Sequence, residues 1–165
     1  MKITNPNDLF FDQLKDLYSV ESQVVLTLPD LAEKASDRSL KALLLDHEGE
    51  TLRHKEVVTA VFERHGVDPG GDICKAMKGL IDGGNEHLAK TEDPSVRDLL
   101  IIAHCNRMEH YEIAAYGFTV ALAECLGLTR DASDLTEVLE EERRTARQLG
   151  AIAAEIFGAP AGNLS

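Results

Sequence analysis

The sequence predicts an all-α protein, a four-helix bundle with a short extra helix in the crossover between the second and fourth helices. Apolar residues recur at spacings of three and four, and no segment alternates in the manner of a strand. Two long helical segments, one short one and two more long ones are typical of a bundle with a single long crossover. The 165 residues, 44% of them hydrophobic, suffice for one domain, 1–165, with a bundle over about 5–157.

Start and stop signals define the first two helices. The first is expected to run from Asn5 or Asn7 to about Lys34, and the second from Ser36 or Asp37 to about His65. An Asn-Pro-Asn-Asp segment offers the first helix a cap, an early proline and acids for its first turn. Pro29 is expected to kink this helix. Gly66 and the loop 67–71 end the second.

The remaining three helices are bounded in the same way. The third covers roughly Asp72–Lys90, the fourth runs from Asp93-Pro94 to Leu126, and the fifth runs from Asp131 or Ser133 to about Phe157. Three glycines weaken the third helix, which is therefore expected to be short: Gly79, Gly83 and Gly84. Gly127 ends the fourth helix. A short tail, 158–165, follows the bundle.

The charge and cysteine content of the chain indicate which partners it is unsuited to bind and in which compartment it is expected. Acids outnumber bases 29 to 17, for a net charge of −12, which argues against nucleic acid or anionic membrane as a partner. No apolar run approaches the roughly 20 residues of a membrane span, and the first residues do not resemble a signal or transit peptide. Three cysteines without a C-x-x-C pair suit a reducing compartment. A cytoplasmic protein is expected, with the cysteines as small core residues.

Each long helix carries a glutamate within its own apolar stripe, near mid-length. Glu21, for example, lies three residues after Tyr18 and four before Val25, so it shares their face. The short third helix shows no comparable residue. The stripe glutamates are Glu21, Glu50, Glu109, Glu112 and Glu142.

A pair of divalent cations is the best explanation for these stripe acids. An ionised carboxylate in an apolar core costs several kcal/mol unless it is paired, and Lys and Arg are not on the stripes in matching numbers. One such glutamate alone would indicate a wet seam or helix end, but four helices share the pattern. Bundles that bind two irons or manganeses place carboxylates from four helices around the metals, and nearby histidines complete the set. Two divalent ions are therefore expected, iron first and manganese as the alternative.

Five motifs, in order, resemble the YciE/YciF ferritin-like family, which is also catalogued as a domain of unknown function. They are Tyr18-Ser-Val-Glu21-Ser-Gln23, His47-Glu-Gly-Glu50-Thr51, Cys74-Lys-Ala-Met-Lys-Gly-Leu80, Glu109-His-Tyr-Glu-Ile-Ala-Ala-Tyr-Gly117 and Leu139-Glu-Glu-Glu142. The resemblance covers about residues 8–155. It implies a ferritin-like bundle with a di-metal centre, a bacterial cytoplasmic setting linked to stress, and ferroxidase activity by analogy to ferritin and rubrerythrin. The Glu109-x-x-Glu112 pair resembles rubrerythrin's arrangement.

The sequence departs from the wider ferritin-like pattern at the histidine ligands. The Glu-x-x-His signature is absent, since Arg53 stands three residues after Glu50. His54, four residues after Glu50, lies on the same face and is the candidate ligand, with His47 as its alternate. Ala146 stands where relatives are expected to offer an acid. The second metal is therefore expected to be held less tightly than the first.

Several neighbouring residues have weaker assignments. Tyr18 and Tyr116, one turn from stripe glutamates, either hydrogen-bond to a metal-bound carboxylate or are amphipathic core residues. His104 and His110 lie beside the stripe of the fourth helix. Glu141 belongs to a solvated face, although a small change of helix phase would exchange it with Glu142.

Three functions fit these residues. The first is a di-metal protein that binds Fe(II) and oxidises it with O₂ or peroxide. The second is a non-enzymatic scaffold or dimer module with a decayed metal site. The third is an enzyme similar to manganese catalase. Metal ions and O₂ or peroxide are the expected partners, and a homodimer is the expected assembly.

Overall fold

The computed structural model describes residues 2–158, and every regular element in that range is an α-helix. The five helices are α1 (Pro6–Lys34), α2 (Arg38–His65), α3 (Lys75–Leu88), α4 (Pro94–Cys125) and α5 (Thr129–Phe157). The predicted all-α class is confirmed. The predicted tail lies outside the described residues after Gly158. No helix within residues 2–158 is long and apolar enough to cross a membrane.

The four long helices form the predicted bundle, with α3 as its crossover. α1 packs against α2 and α4, α5 packs against the same two helices, and α3 lies against α4 and α1. Asp98, near the start of α4, accepts hydrogen bonds from the backbone N–H groups of Ser36 and Asp37 at 2.8 and 2.9 Å. The α1–α2 turn and the start of α4 therefore lie at one end of the bundle. Because α2 and α4 run in the same direction, α3 must carry the chain back along the bundle.

The starts of α1, α2 and α4 agree with the sequence prediction, and α4 begins at Pro94 after its cap Asp93. The starts of α3 and α5 differ from the prediction. Asn5 and Asp37 cap α1 and α2 as predicted, and α1 continues through Pro29. The predicted cap of the fifth helix is wrong, because α5 begins at Thr129 without a side-chain cap. Asp131 is instead buried and bound to Arg64.

The third helix starts later than predicted, whereas the fifth starts earlier. It begins at Lys75, and Cys74 caps it by accepting a 3.4 Å hydrogen bond from the backbone N–H of Met77. The backbone N–H of Cys74 is itself bound by the hydroxyl oxygen of Ser19 at 2.8 Å. This contact holds the start of α3 against α1, which leaves Asp72 outside the helix.

Two apolar clusters fill the bundle, one towards each end, and buried polar residues separate them. The cluster near the α1–α2 turn includes Leu28, Leu40, Ile101 and Leu149. The cluster at the opposite end includes Phe10, Val61, Tyr116 and Leu135. On each long helix the chain passes from one cluster to the other through buried polar side chains. This polar layer consists of Glu21, His47, Thr51, His54, Glu109, Glu112, Glu142 and Thr145.

Candidate metal centre

The polar layer gathers most of the predicted site residues at mid-bundle. Four of the five stripe glutamates and both candidate histidines are at most 1% exposed: Glu21, Glu109, Glu112, Glu142, His47 and His54. Every long helix contributes at least one of them. The spacing of three to four residues that identified the stripes also turns these side chains towards the bundle axis.

One group of candidate ligands comes from α1, α2 and α5. His54 Nδ1 lies 2.7 Å from Glu142 Oε1 and 3.9 Å from Glu21 Oε2. All three ligand atoms lie within 4.8 Å of one another. Two ligands at right angles, each about 2.1 Å from a cation, are themselves about 3.0 Å apart. These separations therefore suit a shared ion.

A second group comes from α2, α4 and α5. His47 Nε2 lies 3.1 Å from Glu109 Oε1 and 3.8 Å from Glu142 Oε2, and these ligand atoms also lie within 4.8 Å of one another. Glu142 thus belongs to both groups, with Oε1 near His54 and Oε2 near His47. One carboxylate is therefore placed between two candidate cation positions.

The layer contains buried polar atoms that the protein leaves without hydrogen-bond partners. Eight such atoms occur on six residues: Glu21 Oε2, His47 Nε2, His54 Nδ1, Glu109 Oε2, and both carboxylate oxygens of Glu112 and of Glu142. The two histidine nitrogens lie close to carboxylates but are not aligned to donate to them. Leaving such groups unsatisfied is costly, and carboxylate oxygens with imidazole nitrogens suit iron, manganese or zinc. The residues present therefore fit a pair of divalent cations.

Burial and mutual repulsion favour protonation of these acids in the metal-free protein. Burial, then the charge of Glu142, raises the pKa of Glu21 to about 8. Burial and Glu109 raise the pKa of Glu142 to about 7. Burial opposes charge on His54, but contact with Glu142 outweighs it and raises the His54 pKa to about 9. The side chains of the layer thus bind protons at neutral pH, and cations that bind there would displace these protons.

Glu50 departs from its predicted place in the interior. Its side chain is 20% exposed, and its Oε1 accepts a 2.5 Å hydrogen bond from Arg144 on α5. Its Oε2 lies 3.5 Å from His47 Nδ1. The hydrogen bond with His47 and the charge of Arg144 outweigh partial burial and lower the pKa of Glu50. Arg144 on the neighbouring helix therefore holds this carboxylate at the edge of the bundle. A ligand role for Glu50 stays a prediction.

Of the two candidate tyrosines, Tyr18 and Tyr116, only Tyr116 reaches the layer. Its hydroxyl donates a hydrogen bond to Glu21 Oε1. Burial, then the charge of Glu21, raises the pKa of Tyr116, so the phenol stays a neutral donor. The Tyr18 ring instead lies edge-on to Phe62, with the Lys55 ammonium 5.1 Å from the ring centroid.

Comparison with known proteins places the chain in a family. Residues 5–161 match the family described as Domain of unknown function (DUF892). The chain belongs to this family. It is 38% identical to Protein YciF of Escherichia coli (strain K12) over 146 residues, which is 88% of each protein. The DUF892 assignment and this identity confirm the predicted YciE/YciF resemblance.

Two solved structures resemble this bundle along most of its length. The crystal structure of the E. coli stress protein YciF has a TM-score of 0.91 at 36% identity, covering 94% of this chain and 99% of YciF. YcfI from Rhodopseudomonas palustris, for which a structural role is suggested, has a TM-score of 0.87 at 36% identity, covering 90% of this chain and 94% of YcfI. Both solved structures thus share this helical bundle.

In this DUF892 protein the other histidines lie outside the metal-ligand groups. His65 Nε2 lies 2.7 Å from Asp131 Oδ2, and His110 is exposed on α4. His104 is buried against Gly84 and accepts a hydrogen bond from Arg107. The histidine ring of His87 lies beside it.

The sequence patterns did not predict the contact of Glu141 with His54 or the exposure of Cys125. Glu141, predicted on a solvated face, lies 2.8 Å from His54 Nε2 through its Oε2. This contact joins α5 to α2, so spacing along a single helix gives no sign of it. Among the cysteines, Cys74 and Cys105 are buried as predicted, but Cys125 is exposed at the end of α4.

Proposed function

We propose that this protein binds two divalent metal ions in its polar layer, iron first and manganese second, and oxidises Fe(II) with O₂ or peroxide as part of stress protection. The observation that carries the proposal is the set of eight buried ligand atoms without protein partners. Five of the six residues that carry these atoms form two groups that share Glu142. A single polar defect in a core would not supply two adjacent groups with one carboxylate between them.

The proposal assigns ligands to each ion. Glu21, His54 and Glu142 would hold one ion, and His47, Glu109 and Glu142 the other. Glu112 has two free carboxylate oxygens in the same layer and is available to both. The four carboxylates would balance the charge of two divalent cations, which removes the repulsion that otherwise favours protonation. When bound, an iron pair can deliver electrons to O₂ or peroxide.

The surrounding chain would control water and ligand orientation. Apolar clusters lie on both sides of the layer along the bundle axis, which keeps bulk solvent away. Tyr116 donates to Glu21 Oε1 and leaves Oε2 free for a cation. Such outer hydrogen bonds hold metal ligands in place.

Anaerobic titration with Fe(II) tests the proposal. Metal-free protein should bind about two Fe(II) per chain, the stoichiometry of di-metal bundles. Exposure to O₂ or to peroxide should then produce near-ultraviolet ferric absorption. Two bound ions without such absorption would contradict Fe(II) oxidation and leave the metal site. Protein that takes up neither iron nor manganese would contradict both. A Glu140→Gln variant, changed on an exposed face, is the matched control.

The second candidate is a helical scaffold whose metal site has decayed. Two observations favour it: Glu50 is drawn out of the layer by Arg144, and Ala146 offers no ligand oxygen at its buried position. Elemental analysis of protein produced with iron and manganese decides between the two functions. Metal-free protein that neither ion stabilises against heat would indicate the scaffold. A peroxide disproportionation assay on the manganese-loaded protein tests the catalase-like function.

A further inference from the structure

The two buried histidines present opposite ring nitrogens to the interior. His54 turns Nδ1 inward, 2.7 Å from Glu142 Oε1, and its Nε2 lies 2.8 Å from Glu141 Oε2. His47 turns Nε2 inward, 3.1 Å from Glu109 Oε1. Each ring therefore has one nitrogen facing the buried glutamates and the other facing the outside of the bundle.

The outer nitrogen of each histidine faces an outer carboxylate. A carboxylate accepts hydrogen bonds, so Glu141 Oε2 favours a proton on His54 Nε2. In a neutral, metal-bound ring the Nδ1 lone pair would then face the interior. His47 Nδ1 lies 3.5 Å from Glu50 Oε2 and 3.4 Å from the hydroxyl oxygen of Thr145. The same reasoning leaves the Nε2 lone pair of His47 for the interior.

Arginines hold both outer carboxylates between α2 and α5. Arg144 on α5 binds Glu50 on α2 at 2.5 Å, and Arg53 on α2 lies 3.4 Å from Glu141 on α5. The two pairs cross the same helix interface in opposite directions. The carboxylates are partly exposed, at 20% for Glu50 and 31% for Glu141. Their charges are thus offset by cations of the protein, unlike the charges inside the layer.

From this arrangement we infer that Glu141 and Glu50 are positioning residues and not metal ligands. Glu141 orients His54 to bind through Nδ1, and Glu50 orients His47 to bind through Nε2. Acceptors on the far side of a ligating imidazole fix its tautomer and orientation, and their loss typically lowers metal affinity 10- to 100-fold. The inference rests on the proposed metal site.

Nitrogen NMR of ¹⁵N-histidine-labelled protein tests the assignment without any mutation. Zn(II) serves as the diamagnetic probe. In the loaded protein, His54 should show a protonated Nε2 and a metal-bound Nδ1, and His47 the reverse. Either histidine bound through the other nitrogen would overturn the inference.

Variants at Glu141 separate positioning from ligation. Glu141→Ala should still bind two Zn(II) per chain, with affinity at one of the two ions about 10- to 100-fold weaker. Glu141→Gln should recover part of this loss, because its amide oxygen can still accept from His54. Loss of a whole ion in both variants would make Glu141 a ligand and overturn the inference. Glu140→Ala, at the exposed preceding position, should leave both affinities unchanged.

An arginine variant makes the same distinction for Glu50. If Glu50 positions His47, freeing it by Arg144→Gln should weaken Zn(II) binding. If Glu50 is a ligand held away from the layer, the same change should tighten binding, and that result would overturn the inference. Arg143→Gln is the matched control, because Arg143 binds only the exposed Glu140 among the described residues.

Failure of the inference is distinguishable from failure of the proposed function. Wild-type protein that binds no Zn(II), Fe(II) or Mn(II) would overturn both. Wild-type protein that binds two ions, but through the wrong nitrogens or with tighter binding after Arg144→Gln, would overturn only the roles of Glu50 and Glu141.

Discussion

Acids are buried both at the ends of this bundle and in its middle, but their surroundings differ. At one end, Asp98 accepts hydrogen bonds from the backbone N–H groups of Ser36 and Asp37. At the other end, Asp131 is bound by basic side chains of α2. In the middle, neither oxygen of Glu142 has a hydrogen-bond partner. Burial alone therefore does not distinguish the proposed ligands from the other acids, whereas burial without a protein donor does.

The difference extends to the energetic role of each acid. Asp131 accepts a hydrogen bond from Arg64 and lies 2.7 Å from His65 Nε2, so it ties α2 to the start of α5. Glu112 satisfies no donor of the protein and lies near other carboxylates that raise its pKa further, after burial itself. The end acids are expected to stabilise the fold without help, and the central acids only with bound cations.

Removing the acid shared by both ligand groups should give the largest effect. Glu142→Gln should lower binding of Mn(II) from about two ions per chain to none, because an amide cannot replace a bridging carboxylate. Equilibrium dialysis with elemental analysis measures the loss. Glu140→Gln should retain both ions. A Glu142→Gln protein that still holds two ions would show that Glu142 does not join the two positions.

Removing an end acid should instead destabilise the fold. Asp131→Asn should lower the free energy of unfolding by about 2–4 kcal/mol, below the full cost of breaking a buried pair, because Arg64 is partly exposed. Chemical denaturation of the metal-free protein measures the change. Asp134→Asn, which alters a more exposed partner of the same arginine, should cost less than about 1 kcal/mol. Equal losses in the two variants would contradict a special role for the buried acid.

Replacing a central acid should stabilise the metal-free protein, whereas replacing an end acid should destabilise it. Glu112→Leu should raise the free energy of unfolding by about 1–3 kcal/mol, because a buried carboxylate without donors is exchanged for a side chain that suits the core. The same variant should gain less stability than wild type when Mn(II) is added. Glu124→Leu, on the exposed face of α4, should change stability by at most about 0.5 kcal/mol. A metal-free Glu112→Leu protein that is less stable than wild type would show that the central acids stabilise the fold without cations, as the end acids do.

The middle of the bundle was more predictable than its ends. Periodicity alone placed Glu21, Glu109, Glu112 and Glu142 in the interior, because a helical stripe fixes which face a residue shares. The same pattern failed for Glu50. Its direction depends on Arg144, a residue 94 positions away on another helix, and no spacing within α2 records that contact.

The roles of the end acids also depend on contacts that the local sequence does not record. Asp131 has the composition of a helix cap, and the sequence predicted one. Gly127, with a φ of +71°, turns the chain early enough for α5 to begin at Thr129. This places Asp131 within the first turn, where it meets Arg64. The two structural acids could not be distinguished from surface acids, because their partners come from distant parts of the chain.

The pH dependence of stability offers the finest test, since it compares the central acids with and without cations. The pKa of Glu21 in the folded, metal-free protein is about 8, above its ordinary value of 4.5. The folded state therefore binds more protons than the unfolded state between about pH 4.5 and 8, and stability falls as pH rises through this window. His54, raised from 6.5 to about 9, extends the fall to higher pH with the same sign.

Each extra proton held by the folded state changes stability by about 1.4 kcal/mol per pH unit, and the coupled acids share this effect. Thermal unfolding in chelator should thus show a melting temperature that decreases from pH 6 to pH 8. Glu21→Gln should flatten the decrease, because the amide does not titrate. With saturating Mn(II), the decrease should disappear or reverse, since the cations displace the same protons. A metal-free melting temperature that rises over this range would show that the central acids are ionised and stabilised by other groups, as the acids at the bundle ends are.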